Sequence, residues 1–118
     1  MNSKGSLVGA ALMAASLLWS NGADAGYFTY SDWAALPIGA RAAYVSGAFD
    51  ALVGVSDSPT DTYRQHYAKC IHDQHMGNRQ LAENIFTYTA TKPAIQARGV
   101  VAAMVNYLDA FCGAPPAK

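Results

Sequence analysis

Excess charge of either sign is the first thing the sequence lacks: eight Lys and Arg stand against eight Asp and Glu over 118 residues. A neutral chain has no electrostatic pull toward nucleic acid or an anionic membrane, so neither partner class has its usual driving force. A membrane-spanning run is also missing, because the apolar stretch from Leu7 to Trp19 falls short of the roughly 20 residues a crossing helix needs. Cysteine is limited to Cys70 and Cys112, which leaves no second thiol close in sequence to either one. No segment alternates apolar and polar residues as a half-buried strand does; Phe86 to Thr91 has strand-like residue types without that period. Internal repeats are absent, and low complexity is confined to the Gly-Ala-Pro-Pro-Ala-Lys tail. These absences leave an all-α class, a small bundle of about four helices.

The sequence opens with the marks of export. Lys4 supplies a short positive region, Leu7 to Trp19 an apolar core, and Ala23-Asp24-Ala25 the small-x-small pattern that signal peptidase requires. Residues 1–25 are therefore predicted to be a cleaved signal peptide and residues 26–118 a single helical domain in the periplasm. No cysteine follows the apolar run to take a lipid, so no stable membrane anchor is expected after cleavage. In an oxidising compartment two cysteines favour one bridge, Cys70 to Cys112.

Periodicity places the helices. After an aromatic lead-in from Gly26 to Tyr30, Ser31 is the expected cap of a single turn whose Trp33 and Leu36 cover the core. Gly39 to Val55 reads as a helix with Ala40, Tyr44, Gly47, Ala51 and Val55 on its inner face, flanked by Ala48 and Leu52. A glycine inside a helix costs about 1 kcal/mol relative to alanine, so Gly47 and Gly99 are expected where helices cross closely. Gly54 to Thr60 is a loop by composition, and Thr60 or Asp61 starts a helix carrying Tyr63, Tyr67 and Ile71. Asn78 is the expected cap of a helix striped by Leu81, Ile85 and Tyr88. The last helix is predicted to begin at Pro93, capped by Thr91 or Lys92, with Val101, Met104, Val105, Leu108, Phe111 and Cys112 on one face. Gly113, Pro115 and Pro116 end it.

Few residues suggest chemistry. His66, Cys70, His72, Asp73 and His75 crowd ten positions, and two histidines with a thiolate suit zinc. A disulfide removes that thiolate, which favours a solvated cluster and no metal. The same oxidation removes a Cys–His nucleophile, so no catalytic residues and no cofactor are expected. Asp50, set in the most apolar helix, calls for an ion pair with Arg41 or Arg98. The seven tyrosines serve either core filling or an aromatic interface.

The order Tyr44-Val45-Ser46-Gly47-Ala48-Phe49-Asp50, Cys70-Ile71, Gln80-Leu81, Tyr88, Pro93 and Ala110-Phe111-Cys112 resembles the periplasmic immunity proteins of type VI secretion systems. These, of the Rap/Tai type, protect a bacterium from its own peptidoglycan amidase effectors. The resemblance implies a helical, non-catalytic bundle, often a homodimer, that occludes an enzyme's cleft. The chain departs from the family in lacking further cysteines around the first helix and the prolines near each cysteine. The HdeA-type acid-stress chaperones are similar in size, export signal and single disulfide, without their Trp-Cys lead motif here. With the helix stripes buried, the partner surface is expected on the Ser56 to Asp61 loop and the His72 to Asn78 connection, the latter through His72, Asp73, Gln74 and His75.

Overall fold

A computed structural model describes residues 28–54 and 62–116. The expected signal peptide of residues 1–25 and the Ser56 to Asp61 loop lie outside the described residues. Six helices are present: α1 (Tyr30–Ala34), α2 (Ile38–Gly54), α3 (Thr62–Asp73), α4 (Asn78–Thr89), α5 (Pro93–Gln96) and α6 (Val100–Cys112). Four of them are 12 residues or longer, the bundle that the periodicity predicted, and no strand occurs among the described residues. No described helix is long and apolar enough to cross a membrane.

The first turn is set by Thr29, whose hydroxyl accepts the Asp32 N–H; the cap falls two residues before Ser31. This short helix puts Trp33 wholly inside, where its indole N–H donates to the Arg41 carbonyl at 3.2 Å. Pro37 stands just ahead of α2, and its carbonyl accepts the Arg41 N–H. From α2 the core takes Ala42 and Val45, with Tyr44, Ala48, Phe49 and Leu52 packed beside them. The expected inner face is thus rotated: Ala40, Gly47 and Ala51 are exposed. Gly47 is no helix crossing, because an added Cβ would meet nothing within 4 Å. Asp50 is exposed too, and Arg41 lays its guanidinium over Phe86, 4.6 Å from the ring centroid, in place of the expected ion pair.

The most extensive helix pair is α2 against α4. Asn78 occupies the first helical position of α4, one residue inside the cap, which is Gly77; Leu81, Ala82 and Ile85 are buried below it. At the far end Thr89, the buried polar residue of this core, gives its hydroxyl proton to the Ile85 carbonyl at 2.7 Å and accepts from the Tyr30 hydroxyl at 2.6 Å. No apolar environment is left with an unmade hydrogen bond there. Pro93 does open a helix and Lys92 does cap it, but α5 stops after four residues. Gly99 then adopts φ +98°, a conformation other residues rarely hold, and α6 starts anew. Gly99 therefore breaks the expected long helix instead of packing inside it. The buried face of α6 is Val100, Ala103, Met104, Tyr107 and Leu108, while Val101 and Phe111 are 49% and 43% exposed.

Cys70 and Cys112 are joined, with Cα atoms 5.9 Å apart. Cys70 lies within the last turn of α3, so the bridge ties α3 to the end of α6. Two further links reinforce the junction: Tyr67 donates to the Asp109 carboxylate, and His66 Nε2 meets the Gly113 carbonyl at 2.9 Å. Gly113 ends α6 as expected, with φ +80° and an extended ψ of 161°.

A candidate docking turn between α3 and α4

The connection from α3 to α4 is built by its backbone. The Met76 N–H reaches the Ile71 carbonyl at 3.2 Å and the His75 N–H reaches the His72 carbonyl at 3.0 Å. That pair of bonds, spanning five and three residues, is the Schellman ending of a helix. It requires a left-handed residue at the position His75 occupies, and His75 has φ +52°. Glycine is the usual occupant, since other residues lose about 1–2 kcal/mol there. Ile71 and Met76, the two residues such a motif brings into apolar contact, are buried and half-buried. A rigid turn results, with the disulfide at Cys70 one step upstream and the Cys70 carbonyl accepting the Gln74 N–H at 3.0 Å.

Beside the turn lies a shallow depression of about 430 Å³. Phe49 from α2, Ala68 and Ile71 from α3 and Met76 form its apolar walls; His72, His75 and Gly77 complete the lining. The structure thus brings His72 and His75 to one concave surface and leaves Asp73 and Gln74 beside it, all four exposed. Phe49 was not foreseen, because nothing in a single helix's periodicity tells which neighbouring turn its half-buried side will meet. Asp73 binds Lys69 one helical turn back, and its carboxylate lies 3.6 Å from His72 Nδ1. The Lys69 hydrogen bond holds the Asp73 carboxyl below its ordinary value of 3.8, with partial desolvation opposing it and His72 adding a smaller effect.

Because its sulfur is bonded to Cys112, Cys70 is no thiolate ligand, and His66 is engaged with Gly113. No group of three or more His, Cys, Asp or Glu among the described residues is placed to hold a metal ion. Next to the depression, Asn84 donates to the Tyr107 hydroxyl at 3.0 Å. Burial pushes that hydroxyl above its ordinary value of 10.0, with the Asn84 bond opposing the shift, so it stays protonated and structural. The chain matches no family model, no curated protein and no solved structure.

Proposed function

We propose that the protein is a periplasmic, non-catalytic binding protein that acts by covering its partner, and that the α3–α4 turn is its contact surface. The observation that carries this reading is the depression itself. Apolar walls from Phe49, Ile71 and Met76 are rimmed by two exposed imidazoles on a turn the backbone has already fixed. Binding energy concentrates where a partner's anchor fills such a hollow and a polar rim excludes water. A turn held by a helix-ending motif and a disulfide loses little further freedom on docking, which lowers the cost of association. An inhibitor-like interface covers about 800 Å² on each partner, a patch that the turn and its flanks on α2 and α4 can supply. The resemblance to Rap/Tai-type immunity proteins makes a cell-wall amidase effector the partner class.

The direct test is inhibition of peptidoglycan amide hydrolysis by the type VI amidase of the producing bacterium. Replacing His72, Asp73, Gln74 and His75 together by alanine is expected to weaken inhibition at least tenfold and leave the fold intact, because all four are exposed. Inhibition that survives the replacement moves the surface elsewhere. An unaffected amidase, combined with suppression of client aggregation in strong acid, replaces this proposal with the chaperone.

A further inference from the structure

A second concavity shares no lining residue with the docking turn. It is a cleft of about 540 Å³ between the start of α1 and the α5–α6 junction. We propose that this cleft binds a small carboxylate with an apolar body. Its volume is that of a ligand pocket, typically about 300–1,000 Å³, and its lining has the usual composition of such sites, mainly apolar with a few polar groups. Phe28 and Tyr30 supply aromatic surface on the α1 side; Pro93 and Ala97 supply aliphatic surface on the other.

Most polar groups of the lining are already engaged. The Tyr30 hydroxyl is bonded to Thr89 and the Gln96 amide nitrogen to the Thr89 carbonyl at 2.7 Å, while the Thr29 hydroxyl holds the Asp32 N–H. Arg98 differs. Among the described residues its guanidinium has no hydrogen-bond or ionic partner, and it is the charged side chain of the lining. No carboxylate is among the described residues that line the cleft. The backbone that carries it is fixed, since the Arg98 N–H reaches the Ile95 carbonyl at 3.0 Å and the Gly99 N–H the Gln96 carbonyl at 3.1 Å. A planar cation beside an aromatic and aliphatic hollow is complementary to an acid whose carboxylate takes the guanidinium and whose body takes the hollow. The Ser31 hydroxyl, also on the lining, is paired with the Thr29 hydroxyl at 3.1 Å, which leaves Arg98 as the group that would take the carboxylate.

The test is amide chemical-shift titration of the purified protein, expressed from its whole coding length, with phenylacetate and with the neutral isostere phenylacetamide. Saturable shifts at Ser31, Ala97 and Gly99, with at least tenfold tighter binding of the acid, are expected. Arg98→Gln should erase the preference for the acid, and Ala97→Trp, which fills the hollow from an exposed position, should abolish both titrations. If Ala97→Trp does not fold, the Arg98→Gln comparison decides alone. Equal affinity for acid and amide, shifts scattered over the surface, or a preference that survives Arg98→Gln overturns the proposal. A parallel titration with N-acetylphenylalanine and its amide tells the two sources of this chemistry apart: tighter binding than phenylacetate assigns the site to peptide C-termini, weaker binding to free acids.

Discussion

The two ends of the bundle are secured by different means. At one end Trp33 and Tyr30 are driven into the core, and a chain of buried hydrogen bonds runs from Tyr30 through Thr89 to Ile85. At the other, α3 meets the end of α6 through a disulfide, the Tyr67–Asp109 bond and the His66–Gly113 bond, with Asp109, Phe111 and Gly113 exposed. A large buried side chain gathers many contacts in one place, whereas a covalent bridge needs few because it restricts the unfolded chain. At the bridged end the covalent restraint adds to the buried Tyr67 and Leu108, beyond which Asp109 and Phe111 of α6 are exposed.

The sharpest way to break this contrast is Trp33→Ala. Truncating a fully buried tryptophan costs about 3–5 kcal/mol, and this one also gives up its indole bond to the Arg41 carbonyl, which keeps its helical donor within α2. Denaturant melts of the oxidised protein measure it; a loss under 1 kcal/mol would show that the bridged end alone holds the fold. Next comes Cys70→Ala with Cys112→Ala. Chain-entropy reasoning for a bridge spanning 42 positions gives about 4 kcal/mol at most, and native disulfides typically return about 2–4. The same melts, run beside reduced wild type, should show equal losses; a stable reduced protein would mean that Tyr67–Asp109 and His66–Gly113 suffice.

Smaller effects separate the two ends further. Tyr30→Phe should cost about 1 kcal/mol, because Thr89 keeps Ile85 as its acceptor and no donor is orphaned. His75→Gly should raise the denaturation midpoint by relieving the left-handed backbone, yet weaken partner inhibition; a fall in stability would show that the imidazole itself holds the turn. The smallest effect is a pH dependence. The folded Asp73 carboxyl titrates below its unfolded value, so its contribution is present above about pH 4 and disappears as pH falls through the folded value. Being exposed, it should be barely measurable by comparing wild type with Asp73→Asn across that range, and a large loss would contradict the geometry.

Helix positions and the bridge were readable in the sequence because they rest on local chemistry: Pro93 and Lys92 at a helix start, Gly113 at an end, two cysteines for one bond. Helix faces were not. In α2 small and apolar residues lie on every side, so periodicity has little contrast to work with, and the choice of Gly47 over Ala42 and Val45 as inward-facing failed. In α6 the large aliphatics Val101 and Val105 outweighed Ala103 and Tyr107, although it is the latter two that are buried. The turn residues His72 to His75 could be selected as surface because a connection must lie outside a small core. Their concave setting could not, since it depends on Phe49 arriving from another helix.

The bridge has a topological consequence. It turns the segment from Cys70 to Cys112 into a covalent ring that contains the docking turn, α4, α5 and α6. A protease that cuts one peptide bond inside this ring, at the turn or at the α4–α5 connection, leaves a single molecule, intact in mass except for one water. A cut between α1 and α2 releases a fragment that only packing and hydrogen bonds retain. The proposed contact turn is therefore carried on the portion of the chain that one nick does not divide.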